Sequence, residues 1–190
     1  AIALAIHDGL QSERLKSASQ DTSARDNLTG LLNRRSFFRQ IENMRQLTSS
    51  SEVFFFMVID VDHFKSINAR FGHEAGDAVL IHVADCLRSR ATEDMRIARF
   101  GGEEFIIAGH LNTIGTLQRF GQRIIQCVEN NEEGNKHLQV RVRVSVGSCI
   151  ATSDVSTELA VAHAESAMLQ VLRTGRHKVV GAHEDQQYAA

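Results

Sequence analysis

Four carboxylates in two short stretches are spaced for shared chemistry. Asp60 and Asp62 close the run EVFFFMVIDVD over 52–62, and Glu103 and Glu104 follow paired glycines in RFGGEEF, residues 99–105. A carboxylate at the end of so apolar a run is poorly placed for simple solvation. The two glutamates stand between apolar segments, the pattern of a β-hairpin with negative charge at its tip. If that hairpin pairs beside the 52–61 segment, Asp60 and the tip glutamates converge. Such a cluster repels itself unless a cation sits within it, and an all-oxygen donor set favours magnesium or manganese over zinc. Gly101 and Gly102 fit the same chemistry, because residues without side chains let backbone N–H groups approach a phosphate. The residues alone leave other readings open. A solvated hairpin tip takes glycine and glutamate readily, and either Asp60 or Asp62 can cap a following helix.

The elements that must position these groups are read from apolar periodicity. Phe37, Phe38, Ile41, Met44 and Leu47 repeat at helical spacing over 34–47, whereas 52–61 is apolar without a helical period and predicts a strand covered on both faces. A short helix over 63–70 leads to FGHEAGD, after which Val79, Leu80, Val83 and Leu87 mark another. The hairpin occupies 95–110, and Leu117, Phe120, Ile124 and Val128 give a further helix. Residues 138–146 alternate strictly, with Leu138, Val140, Val142, Val144 and Val146 on one side, which predicts a half-buried strand. A last helix carries Ala160, Ala164, Ala167, Met168 and Val171 and is stopped by Gly175. Strands interleaved with helices and one antiparallel hairpin predict an α+β sheet with helices packed on it. Residues 2–18 form a modest amphipathic helix, which suits either a stalk that pairs with a second copy or a helix folded back on the domain. The polar stretch SQDTSARDN at 19–27 places the boundary, giving a connecting helix and linker at 1–23, one domain at 24–182 and a tail at 183–190.

Composition narrows the classes. With 190 residues, 43% hydrophobic and 23% charged, the chain holds one domain with a real core. A net charge of −2 without a basic stripe argues against a nucleic-acid partner. Cys86, Cys127 and Cys149 are odd in number and set among apolar residues, so they read as reduced core thiols of a cytoplasmic protein. No stretch has the apolar length of a membrane span. A chain that starts at Ala1 reads as a module cut from a longer protein.

Five blocks then fall into one order: DNLTGLLNRRSF at 26–37, DVDHFKSINARFGHEAGDAVL at 60–80, RFGGEEF at 99–105, RVSVGS at 143–148 and GRHKV at 175–179. This pattern closely resembles the bacterial GGDEF family of diguanylate cyclases, in its GGEEF form, over about residues 24–180. The resemblance implies a central, mainly antiparallel sheet with helices on both faces, related to the polymerase palm and to adenylyl cyclases. It also implies a reaction in which two GTP molecules are condensed into cyclic di-GMP with release of pyrophosphate. Carried over by position, it implies magnesium ligation by Asp60, Glu104 and the Val61 carbonyl, and a catalytic role for Glu103 in activating the 3′-hydroxyl. Gly101 and Gly102 would lie along the triphosphate, Lys65 and Arg176 would contact its oxygens, and Asn68 and Asp77 would read guanine. One domain holds one GTP, so the resemblance implies a catalytic homodimer. The 1–18 helix resembles the last helix of an N-terminal sensory module running into a cyclase.

Several positions depart from the family pattern. Leu172 stands where a lysine is usual, with Arg173 beside it as a substitute. Leu169 replaces a common tyrosine, His177 the asparagine of the GRN block, and Ala69 an acid. Thr92 and Met95 occupy the two ends of the usual Arg-x-x-Asp inhibitory motif, which implies no strong feedback there. His73 is expected to tie its turn by hydrogen bonds, and Arg34 and Arg35 to make structural ion pairs. These departures favour a second reading, a degenerate domain that binds GTP and regulates a partner module.

The guanine assignment is directly testable. Asp77 can accept from guanine N1–H and N2–H2, whereas adenine leaves it unpaired at roughly 1–3 kcal/mol per group. Replacing Asp77 by Ser is expected to relax the preference for GTP over ATP in competition binding; an unchanged preference contradicts the assignment.

Overall fold

The computed structural model describes residues 24–46, 53–111, 115–130, 140–151 and 155–181. The expected 1–18 helix, the boundary at 23 and the 183–190 tail lie outside the described residues. In chain order the elements are β1 (Leu32–Asn33), α1 (Arg34–Gln46), β2 (Val53–Val61), α2 (Phe64–Phe71), α3 (His73–Arg90) and β3 (Met95–Arg99). There follow β4 (Glu104–Leu111), α4 (Gly115–Asn130), β5 (Val144–Ala151), α5 (Thr157–Arg173) and β6 (Val179–Gly181).

Everything is arranged around β2. It pairs antiparallel with β4 on one side and with β5 on the other, in a six-stranded sheet of order β1-β3-β4-β2-β5-β6. Because side chains alternate along a strand, Phe55, Met57, Ile59 and Val61 enter one core with Leu80 and Val83 of α3 and Ile124 of α4. Phe54, Phe56 and Val58 enter the opposite core with Phe37 and Ile41 of α1 and Ala160, Ala164 and Met168 of α5. Helices therefore cover both faces, which is why β2 is apolar from Val53 to Ile59. Cys86, Cys127 and Cys149 are buried and in no disulfide among the described residues, and no described helix is long and apolar enough to cross a membrane.

The structure corrects three expectations. Gly72, at φ 85, ends α2, and α3 then starts at His73, so most of FGHEAGD is helix rather than turn; no hydrogen bond from the His73 side chain is seen. The half-buried strand expected over 138–146 is displaced: residues 138–139 lie outside the described residues, 140–143 are an approach without strand assignment, and β5 runs on to Ala151, with Ser145 and Ser148 buried alongside its valines. Alternation reports one-sided burial, and β5 is covered on both faces. Asp62 does not cap α2; His63, with a left-handed φ of 59, holds the N-cap position and makes no side-chain cap. The short edge strands β1 and β6 are additional to the expected elements.

The helix α5 lies directly on β5. A Cβ placed on Gly147 would stand 2.1 Å from the Met168 nitrogen and 2.3 Å from the Ala164 carbonyl oxygen. Both are backbone atoms that cannot turn aside. Gly147→Ala is therefore expected to cost roughly 2–3 kcal/mol, seen as a lower urea midpoint at unchanged slope.

Candidate functional site

The sheet register brings the separate acids together. Asp60, the penultimate residue of β2, faces Glu104, the first of β4, and on its other side faces Ser145 of β5. The pairing continues one step past the strand, where Val61 N–H donates to the Glu103 carbonyl at 3.2 Å. The hairpin tip is closed by Phe100 and Gly101 N–H, which donate to the Glu104 carbonyl at 2.7 and 3.2 Å. A Cβ on Gly101 would stand 2.7 Å from the Glu104 carboxylate, so this glycine admits the side chain of the acid three residues on. One on Gly102 would meet nothing within 4 Å; nothing within the chain demands glycine there.

A brace from the start of the domain fixes the tip. Arg99 donates from Nε and Nη2 to the Gly102 carbonyl at 3.2 and 2.7 Å, while its Nη1 lies 3.3 Å from Asp26 Oδ2. Asp26 accepts in turn from the Thr29 amide and hydroxyl at 2.8 and 2.7 Å. Burial pushes the Asp26 carboxyl up, but the Thr29 hydrogen bonds and Arg99 outweigh it and hold it below the ordinary value. This ties the DNLTG block to the GGEE tip, a link made through side chains far apart in sequence.

The acids are not at ease. Asp60 is pushed up to about 7, first by burial and then by the charges of Glu103, Glu104 and Asp62, with Arg176 opposing. Glu104 is raised by burial, Glu165 of α5 and Glu103, against the pull of Arg34. Glu165 escapes the sequence reading altogether, although its place between the buried Ala164 and Ala167 put it on the flank of the helix's apolar face. Arg34 does more than the expected structural pairing: its guanidinium lies 4.2 Å from the Phe100 ring centroid, beside the tip.

Asp62 takes a different part. Its Oδ1 accepts from the Ser145 hydroxyl at 2.7 Å, its amide donates to the Arg143 carbonyl at 2.9 Å, and its Oδ2 is buried without a hydrogen-bond partner. Arg176 Nε lies 4.0 Å from Asp62 Oδ1, and Arg176 Nη1 lies 3.2 Å from His63 Nε2. Ser145 Oγ also accepts from the His177 amide at 3.1 Å, joining the post-α5 turn to the end of β2.

The remaining expected residues lie on α2 and α3. Lys65 is exposed on α2, and Asp77 is exposed on α3. Asn68 is half buried, and its Oδ1 has no hydrogen-bond partner. A Cβ on Gly76 would stand 1.9 Å from that oxygen, so Gly76 makes room for the amide one residue before Asp77. Among the described residues, no hydrogen bond or ion pair joins Lys65, Asn68 or Asp77 to the carboxylate group. Beyond Asp62 and His63 opens a cavity of about 650 Å3, lined also by Arg143, Leu172, Arg173 and Arg176.

Among the described residues, no three His, Cys, Asp or Glu side chains are already gathered as a metal cage. The donor chemistry nevertheless fits a hard divalent cation, since Asp60 and Glu104 are both raised by burial and neighbouring negative charge, and bound positive charge relieves both. Asp60 retains its proton in the folded chain to about pH 7 against an ordinary 3.8. The stability it contributes is thus complete below about pH 4 and lost as pH rises to about 7. Without divalent cation, the urea midpoint is expected to fall over that interval, Asp60→Asn to flatten the fall, and Mg2+ to stabilise the parent chain at pH 8. A parent profile no steeper than that of the Asp60→Asn variant would contradict this.

The chain as a whole is similar to known proteins in sequence and in fold. The family model described as "Diguanylate cyclase, GGDEF domain" matches residues 23–178. The chain is 32% identical over 157 residues to diguanylate cyclase DgcZ of Escherichia coli, covering 80% of this chain and 51% of DgcZ. It is 30% identical over 168 residues to the response regulator PleD of Caulobacter vibrioides, covering 86% of this chain and 37% of PleD. It thus spans about half or less of these relatives' length. Among solved structures, the GGDEF domain of DgcB from Caulobacter crescentus, in complex with c-di-GMP, superposes with a TM-score of 0.76 at 27% identity, covering 84% of this chain and 96% of that one. Diguanylate cyclase SiaD of Pseudomonas aeruginosa, in complex with its activator SiaC, gives 0.74 at 26% identity, covering 94% and 69%.

Proposed function

The chain belongs to the GGDEF family, and from that premise we propose that it is a diguanylate cyclase, condensing two GTP molecules into cyclic di-GMP with release of pyrophosphate. The observation that carries this reading is the register that sets Asp60 opposite Glu104, two carboxyls each raised by burial and by neighbouring acids, Asp60 by Glu103, Glu104 and Asp62 and Glu104 by Glu165 and Glu103. Asp60, Glu104 and the Val61 carbonyl hold two divalent ions, which when bound lower the pKa of a 3′-hydroxyl and offset the charge of the departing pyrophosphate. Glu103, beside Glu104 at the tip, takes the 3′-hydroxyl proton.

The other roles belong to the chain's own groups. Gly101 and Gly102 let the tip backbone lie along the triphosphate, and Lys65 and Arg176 bind its oxygens. The Asn68 amide, whose oxygen has no partner in the chain, and the exposed Asp77 carboxylate read the guanine edge. The product joins two nucleotides reciprocally, so two domains meet face to face, each presenting one GTP. The names of DgcZ and of the DgcB complex support the same product. An N-terminal sensory module and a cytoplasmic site of action belong to this reading, with the complex of SiaD and SiaC as precedent for control by a partner. Thr92 and Met95 leave the usual inhibitory motif without its Arg and Asp, so product does not feed back there.

Leu172 favours a second reading, a domain that binds GTP and regulates a partner without turnover, because it lines the cavity with an apolar side chain where the family has lysine. Incubation with GTP and Mg2+, followed by chromatography, separates the two. Cyclic di-GMP is expected from the parent chain, with at least a hundredfold less from Glu104→Ala. Bound GTP without product at high protein concentration would overturn the cyclase reading.

A further inference from the structure

The cavity beyond Asp62 carries more positive charge than its surroundings answer. Arg141 and Arg143 reach it from the approach to β5, Arg173 from the end of α5, and Arg176 from the turn that follows. Three carboxylates answer these four guanidiniums, and one of them, Asp60, is reached only by the charge of Arg176. Asp62 is buried and already accepts from Ser145. Glu129, at the end of α4, is shared among Arg141, Arg143 at 3.6 Å and His177 at 2.9 Å. Arg173 makes no ion pair among the described residues. In a chain of net charge −2, this pocket of about 650 Å3 is a local positive field of the kind that concentrates a polyanion.

Its position selects the polyanion. The cavity begins at Asp62 and His63, immediately after Val61 at the end of β2, and Leu172 lies on its wall. The helix thus offers a leucine where a cation is missing, and the approach to β5 offers an arginine into the same space. The Arg143 side chain is half exposed, and among the described residues its one ion pair is the 3.6 Å contact from Nε, which leaves its terminal nitrogens to form a fork onto phosphate oxygens. We propose that Arg143, together with Arg173, binds the terminal phosphates of GTP and supplies from the approach to β5 the charge that Leu172 does not. This rests on the cyclase reading for the identity of the nucleotide, but the polyphosphate site itself does not depend on turnover.

Calorimetric titration of the 190-residue chain with inorganic tripolyphosphate, GTP and GMP tests the assignment. Arg143→Gln and Arg173→Gln are each expected to weaken tripolyphosphate and GTP by about tenfold, the loss of one charge-assisted contact. GMP affinity is expected to hold, which also reports an intact fold. Leu172→Lys added to Arg143→Gln is expected to recover most of the lost affinity. The proposal is overturned if the parent chain does not bind tripolyphosphate, if the double Gln variant binds tripolyphosphate and GTP as the parent does, or if GMP weakens in parallel. Arg143-dependent tripolyphosphate binding without cyclic di-GMP synthesis would sustain the pocket and sink the cyclase reading. Normal synthesis with unaltered tripolyphosphate binding in the variants would do the reverse.

Discussion

The pairing of β2 with β4 places one carboxylate opposite another, and the rest of the site follows from that constraint. Once Ile59 lies against Phe105, Asp60 must lie against Glu104, because a shift of one residue would turn every side chain of β2 to the wrong face. The core holds that register. Phe54 to Ile59 are all buried, and each large apolar side chain contributes about 1.5–3 kcal/mol. A like-charged pair about 5 Å apart in a partly buried setting costs roughly 3 kcal/mol. The sheet can carry the repulsion of its acids, which together with burial raises the carboxyls of Asp60 and Glu104.

Around this pair the chain has built supports that act on position more than on stability. Arg99 ties the Gly102 carbonyl to Asp26, so the tip is referred to the first turn of the domain. Asp62 and Ser145 tie the end of β2 to β5 and, through the His177 amide, to the turn after α5. The two ends of the described chain are thereby joined to the acids through side-chain hydrogen bonds.

How much of this could be read beforehand depended on the range of the interactions. The covered strand was legible because an apolar run of its length has no helical period, and the hairpin because glycines interrupt two apolar segments. Convergence of Asp60 with the tip followed from those two. What escaped was decided by distant partners. Asp62 looked like a helix cap, but its hydroxyl partner, Ser145, stands 83 residues away. Glu165 and Arg34 act on Glu104 from different helices, and no local spacing marks them. The strand near 144 was displaced because alternation reports one-sided burial, whereas β5 is covered on both faces. β1 and β6, of two and three residues, have too little sequence to carry a pattern. The expectation that Asn68 and Asp77 read guanine came from the family resemblance, since periodicity marks neither residue.

We propose that the crowding of the acids makes a cation site. Carboxyl carbon NMR of Asp60 tests it most directly, by following titration with and without saturating Mg2+. The account predicts a midpoint near 7 without the ion and a midpoint lowered by at least about two units with it. A midpoint near the ordinary 3.8 in both conditions would contradict it.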